Sequence, residues 1–119
     1  MTSMIFEYMI GNTDMSIYAL HNFVVVQRPD KSLHPVPYDF DMSGLVNAPY
    51  AVPARGFIIK SVTERVYRGP CRSQELVDPY VANFVAKQDA VRALPDAIPG
   101  ITRTARDEAR DYISSFYRS

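Results

Sequence analysis

The sequence has little of what marks several common protein classes. Its one cysteine, Cys71, can form no disulfide within the chain, and no cysteines or histidines stand at the spacing of a zinc site. Thirteen basic and thirteen acidic residues leave no net charge, so no long-range field would attract nucleic acid or an anionic membrane. We therefore expect Cys71 to be a structural residue, and we do not expect nucleic acid as a partner.

Long hydrophobic runs and phosphate-binding loops are also lacking. No apolar run approaches the roughly 20 residues needed to cross a bilayer. The first ten residues contain no basic side chain and include Glu7, which is not typical of a secretory signal. We expect no membrane partner and a cytoplasmic location. Neither a glycine-rich nucleotide loop nor a P-loop is present, so tight ATP binding by this chain alone is not expected.

What is present fits one small domain, residues 1–119. A chain of this size buries about 65% of its unfolded surface, which is enough for a modest core. Five of the nine prolines lie between Pro29 and Pro53. The middle of the chain is therefore expected to be irregular.

A β-hairpin is predicted over residues 23–38. Residues 23–28 are apolar and β-branched, 29–32 have turn chemistry, and 34–38 form a second extended run. Pairing Arg28 with Leu33 would place Asn22 opposite Asp39. Facing residues in an antiparallel pair have Cα atoms about 4.5–5.5 Å apart. The hairpin would therefore bring an amide and a carboxylate together at its open end.

Two further carboxylates belong near this end of the hairpin. Asp41 lies one pleat beyond Asp39, and Asp14 lies in the loop that enters the first strand. Oxygen-rich clusters are the ligand type that Mg²⁺ or Mn²⁺ prefers. The pattern predicts a metal site of Asn22, Asp39 and Asp41 with Asp14 beside it. The simpler alternative is that these acidic residues end a strand and cap loops.

Helices are predicted on either side of the hairpin. Ser3 can cap a first helix through Ile10 that ends at Gly11. A second helix begins at Asp78-Pro79, or at Ser73 with Pro79 as a kink, and runs to about residue 94. The side chains that it is expected to bury are Val81, Phe84, Val85, Val91 and Leu94.

A final helix completes the predicted fold. It is capped by Thr102 or Thr104, and its buried stripe is Ala105, Ala109, Tyr112, Ile113 and Phe116. A short strand at 57–59 is a further candidate. The predicted class is α+β, with a small antiparallel hairpin and about three to four helices.

Three motifs resemble a known family. Gly11-Asn12-Thr13-Asp14, His21-Asn22 and Tyr38-Asp39-Phe40-Asp41 are similar to the catalytic loop, metal-binding Asn and Asp-Phe-Gly counterpart of HipA-type and CotH-type atypical kinases. The longer string through Ser43-Gly44-Leu45-Val46-Asn47-Ala48 also resembles a set of bacterial proteins with this pattern. The resemblance implies a reduced C-terminal lobe (C-lobe) of a kinase fold.

The resemblance also implies roles for the site residues. Asp14 would orient or deprotonate the attacking hydroxyl group. Asn22 and Asp39 would hold Mg²⁺, or Mn²⁺, bridging nucleotide phosphates, and Asp41 would assist with a second metal. Such chemistry is mostly positioning and neutralisation of phosphoryl charge.

A kinase also needs an N-terminal lobe (N-lobe) with a glycine-rich loop and a strand lysine, for which this chain has no room. The resemblance therefore implies an incomplete phosphotransferase that binds ATP only when an N-lobe is supplied in cis or in trans. The other expected partner is a second copy of this chain, bound through exposed apolar surface. Two alternatives remain open: a non-catalytic interaction or structural module with a vestigial acidic metal site, and a metal-dependent hydrolase that uses the same carboxylates.

Overall fold

The computed structural model describes residues 1–118. Its elements in chain order are α1 (Thr2–Ile10), β1 (Phe23–Gln27), β2 (Leu33–Pro37), α2 (Gln74–Ala86), α3 (Gln88–Ala93), a 3₁₀ helix (Leu94–Ala97) and α4 (Arg103–Arg118). One antiparallel two-stranded sheet and four α-helices confirm the predicted α+β class. In the part of the chain described, no helix is long and apolar enough to cross a membrane.

Helix α1 ends where the sequence predicts but begins differently. Gly11 takes the left-handed conformation, with φ 68° and ψ 37°, and its N–H bonds to the last turn, as a glycine stop does. Met1, not Ser3, is the N-cap residue. The Ser3 hydroxyl donates instead to the Pro35 carbonyl oxygen at 3.2 Å. The predicted Ser3 cap is wrong because that side chain joins the helix to the hairpin.

The hairpin register differs by one residue from the prediction. Gln27, not Arg28, pairs with Leu33, because the turn is one residue shorter than predicted. The Arg28 N–H donates to the Ser32 carbonyl at 2.9 Å, and Lys31 between them takes a left-handed conformation (φ 67°). A three-residue loop of this kind is common in hairpins. Asn22 therefore faces Tyr38, whose N–H donates to the Asn22 carbonyl at 3.0 Å. The predicted pairing of Asn22 with Asp39 is wrong.

The core is small and is centred on α1. Its buried apolar side chains are Met4, Ile5, Met9, Ile10, Met15, Phe23, Val62 and Ile113. Helix α1 packs against α2, α4 and β2. On β1 only Phe23 is buried, and the three valines that follow it are each close to half exposed. The hairpin is thus fixed at its open end and stands in solvent beyond it.

Helix α2 departs from the prediction in start, end and burial. It has Ser73 at its N-cap and contains Pro79, so the start at Asp78-Pro79 is wrong and the alternative at Ser73 holds. It ends at Ala86, with Lys87 as its C-cap, so the predicted single helix to residue 94 is broken between α2 and α3. No side chain of α2 is buried, and Val85 is half exposed. The expected burial of its apolar face fails because neighbouring elements cover that face only in part. Phe84 packs edge-on against Phe116 of α4, with ring centroids 6.2 Å apart, while Val81 and Val85 stay exposed.

The last helix is connected to the first through one arginine. Arg65 donates from Nη1 to Ser115 Oγ at 2.7 Å, from Nη2 to the Tyr112 carbonyl at 2.6 Å and from Nε to the Met9 carbonyl at 3.0 Å. The Thr102 hydroxyl accepts the Ala105 N–H at 3.1 Å, which makes Thr102 the cap.

Two expectations on this side of the fold fail. Of the predicted stripe on α4 only Ile113 is fully buried. Residues 57–59 form no strand.

Candidate acidic site at the hairpin mouth

The loop that carries Asp14 is held by side chains bonded to its backbone. Asn12 Oδ1 accepts the Asp14 N–H at 3.1 Å, which is a local turn typical of Asn. Arg68 Nη1 donates to the carbonyl oxygens of Thr13 and Met15, on either side of Asp14. These two bonds from Arg68 fix the backbone on both sides of Asp14 and so position the loop.

The Asp14 carboxylate contacts two residues from the start of the hairpin. His21 Nε2 lies 2.8 Å from Oδ1. Asn22 Nδ2 donates to the Asp14 carbonyl oxygen at 2.7 Å and to Oδ2 at 3.3 Å. Two oxygen acceptors fix the orientation of the Asn22 amide, so its Oδ1 is the atom that could bind a metal. Asn22 is buried and takes φ 54°, a conformation that Asn tolerates better than most residues.

Asp39 and Asp41 form a pair of like charges after β2. A hydrogen bond that protonated Asp39 donates to the Asp41 carboxylate, together with the negative charge of Asp41, raises the pKa of Asp39, and the charge of Asp14 adds to the rise. Asp39 takes φ 60°. The Tyr50 hydroxyl donates to Asp41 Oδ2 at 3.1 Å, and this bond together with the Asp41 charge raises the pKa of Tyr50.

The segment that carries Asp39 and Asp41 is hydrogen-bonded to the end of α1, from which the Asp14 loop begins. The Gly44 N–H donates to the Gly11 carbonyl at 3.1 Å, and the Leu45 N–H donates to the Ile10 carbonyl at 2.9 Å. Ser43 is fully buried beside them. The segment that follows Asp41 is therefore joined to the segment that precedes Asp14, which keeps the three carboxylates at one end of the molecule.

The predicted site residues are brought together in two pairs. Asn22 contacts Asp14, and Asp39 contacts Asp41. The charge of Asp14 reaches Asp39, but the described contacts of the Asn22 side chain are with Asp14 and not with Asp39. Within residues 1–118, no group of three or more His, Cys, Asp or Glu side chains is arranged to hold a metal ion.

Sequence reasoning missed three contributors to the site. Tyr50 bonds to Asp41 from nine residues away. Arg68 holds the carbonyls beside Asp14 from more than 50 residues away. Glu7 is buried in α1 just before the loop. No spacing rule connects these residues to the motifs, although the acidic Glu7 among apolar neighbours in α1 is a visible signal.

The donor chemistry of the paired carboxylates suits a hard cation. Mg²⁺ retains several waters and is usually held by one or two carboxylates together with substrate phosphates. Asp39 and Asp41 are two such carboxylates, and their mutual repulsion is the kind that a cation relieves. A site of this type needs only two protein ligands when a phosphate supplies the others.

No protein-family model, curated protein or solved structure matches this chain. The likeness to atypical kinases therefore depends on the motif residues alone. The function has to be argued from the geometry of the acidic site.

Proposed function

We propose that this chain is a kinase-like phosphotransferase C-lobe whose acidic site binds Mg²⁺ or Mn²⁺ and nucleotide phosphates. The observation that carries the proposal is the like-charged pair Asp39–Asp41, with the charge of Asp14 within reach of Asp39. Such repulsion is costly unless a cation or a proton offsets it. We also propose that the chain acts in the cytoplasm, as its sequence predicts.

The residues have separate roles in this proposal. Asp39 and Asp41 would hold the cation, and the chemistry it would supply is neutralisation of charge on the phosphoryl oxygens. Asn22 directs Nδ2 at Asp14 and offers Oδ1 to the cation. Asp14, oriented by His21 and Asn22, would accept the proton of the attacking hydroxyl as that oxygen bonds to the terminal phosphorus of ATP and the bond from this phosphorus to the ADP oxygen breaks.

The extent of exposed surface supports an incomplete site. The chain exposes 8103 Å², whereas a compact monomer of 13.5 kDa exposes about 6,500 Å². The excess is larger than the roughly 800 Å² that each partner buries in a standard interface. Apolar side chains with more than half of their area exposed include Tyr18, Leu20, Tyr50, Val52 and Ile58. We propose that an N-lobe, in cis or in trans, covers part of this surface and supplies the contacts needed for ATP.

One observation favours a second candidate, a non-catalytic interaction module with a vestigial acidic site. Asn22 and Asp39 do not share a contact, and the carboxylates of residues 1–118 form no three-ligand metal group. In that case the exposed apolar surface would serve a partner without phosphoryl transfer. Self-association would be the simplest use of that surface.

Thermal unfolding with and without ligands tests these candidates. Mg²⁺ or Mn²⁺ should raise the melting temperature, because a ligand selective for the folded state stabilises it. Asp39→Asn should abolish this rise, and the control Asp89→Asn, an exposed carboxylate on α3, should preserve it. A further rise with ATP supports the phosphotransferase; a metal effect without an ATP effect supports the module. No response to either metal would contradict the metal site itself.

A further inference from the structure

Helix α1 contains a carboxylic acid that the proposed mechanism does not use. Glu7 is 1% exposed, and neither of its carboxyl oxygens has a hydrogen-bond partner among residues 1–118. Burial raises the pKa of Glu7 to about 7, and the neighbouring Asn12 amide opposes the rise. An unpaired charge in such a place is strongly disfavoured. The uncharged form of Glu7 is therefore the one that suits this fold.

Asn12 lies between this acid and Asp14. It is also 1% exposed, and its Nδ2 has no partner at ordinary hydrogen-bond geometry in the described chain. Its backbone N–H donates to the Glu7 carbonyl at 2.9 Å. Its Oδ1 accepts the Asp14 N–H at 3.1 Å. The buried Asn12 side chain thus faces Glu7 with its Nδ2 and fixes the backbone of Asp14 with its Oδ1.

No charged side chain among residues 1–118 is paired with the Glu7 carboxyl group. Helix α1 packs against α2, α4 and β2. The titratable groups that contact α1 or its following loop include Arg65, Arg68, Tyr67, Tyr112 and, at Asp14, His21. Both arginines donate to backbone carbonyls there. Burial is the main cause of the raised pKa of Glu7, and the Asn12 side chain opposes it.

We propose that Glu7 is a positioning residue for Asp14. Its uncharged carboxyl group faces the Asn12 amide without bonding to it, and Asn12 holds the backbone turn that carries Asp14 to the acidic site. Loss of the proton draws the Asn12 amide towards the carboxylate and changes the Asp14 turn. The chemical role of Asp14 rests on the proposed function, but this coupling is a property of the fold and is tested separately.

The test follows the backbone amide resonance of Asp14 by NMR from roughly pH 5 to 9. The starting protein carries His21→Gln, so that the imidazole beside Asp14 cannot contribute a titration. We expect a shift with a midpoint near the Glu7 pKa of about 7, and loss of that shift when Glu7→Gln is added. Glu75→Gln, which removes an exposed charge on α2, should leave it unchanged. An Asp14 shift that persists with Glu7→Gln overturns the proposal.

A second variant keeps the test decisive if Glu7→Gln folds poorly. Asn12→Ser retains a hydroxyl that can accept the Asp14 N–H and removes the amide that faces Glu7. The Glu7 titration should move to higher pH, and the Asp14 resonance should no longer follow it. An Asp14 resonance that still follows Glu7 contradicts the coupling. Mn²⁺ broadening of the Asp39 and Asp41 resonances tests the proposed function in the same samples, so the two can fail independently.

Discussion

The Asn22 side-chain amide donates to the Asp14 carbonyl oxygen at 2.7 Å, across eight residues of chain. This bond closes the segment that enters the hairpin, and it is made by a buried residue in a left-handed conformation. Asn22 therefore fixes the position of Asp14 in addition to offering a ligand atom.

Replacing Asn22 with Ala should lower the free energy of unfolding by about 3 kcal/mol, since it leaves the partly buried Asp14 carbonyl without its donor and places Ala in a left-handed conformation. Urea denaturation measures the loss. Asn47→Ala is the matched control, because Asn47 is exposed and also has a positive φ, of 46°. It should cost only the conformational part, about 1 kcal/mol. Equal losses for the two variants would show that the Asp14 contact contributes nothing.

Gly11→Ala should be more costly than its backbone conformation alone requires. A Cβ at Gly11 would lie 2.0 Å from the Tyr112 hydroxyl oxygen, so the ring must move. We expect a loss of about 3 kcal/mol, from the left-handed conformation and the steric overlap together. The control Gly100→Ala has a similar φ of 74° with open space around it, and should cost about 1 kcal/mol.

Adding Tyr112→Phe to Gly11→Ala separates the two contributions. The Tyr112 hydroxyl is buried without a hydrogen-bond partner in the described chain, so its removal alone should be close to neutral. Without that oxygen the nearest Tyr112 atom is Cζ at 3.1 Å. The double variant should recover part of the lost stability in urea denaturation. Additive losses would indicate that the hydroxyl is not the obstacle.

Glu7 should make stability fall as the pH rises. Its folded-state pKa of about 7 lies above the ordinary value of 4.5, so the folded state holds a proton that the unfolded state has lost between these values. The contribution is fully present below about pH 4.5, and about 3 kcal/mol is lost by the time the pH exceeds about 7. Unfolding free energies at several pH values should be flatter for Glu7→Gln than for the wild type. The same slope in both would exclude Glu7 as its source.

The Asp39–Asp41 repulsion should also be visible without any metal. The raised pKa of Asp39 means that the folded state favours its protonated form, so stability is lost as the pH rises through that pKa. Asp39→Asn and Asp41→Asn should each raise the melting temperature at neutral pH, and the gain should disappear in acid. A gain that is independent of pH would point to backbone conformation at Asp39 instead of charge.

Local chemistry made several features of this fold predictable. Gly11 stops α1 because a glycine readily takes the left-handed conformation that ends a helix. The two strands follow from β-branched residues and turn chemistry. The position of Lys31 in the turn was not predictable, because a lysine gives little signal for a left-handed residue, and a turn that is one residue shorter shifts every cross-strand pair.

Long-range contacts limited the prediction of the site. The sequence predicts that Asp14, Asn22, Asp39 and Asp41 lie near one end of the hairpin. It does not predict which of these side chains contact each other. The contact of Asn22 with Asp14 depends on the left-handed backbone at Asn22. The helical pattern of α2 predicts a buried apolar face because it indicates that a partner is needed, but it does not indicate how much of that face this chain covers.

The most direct test of the account is a titration of Mn²⁺ with the protein, in which the electron paramagnetic resonance signal reports the free ion. The wild type should remove Mn²⁺ from solution, and Mg²⁺ should compete for the same site. The Asp39→Asn, Asp41→Asn double variant should leave the ion free while it remains folded by circular dichroism. Equal binding by the double variant and the wild type, or no binding by the wild type, would contradict the proposed cation site.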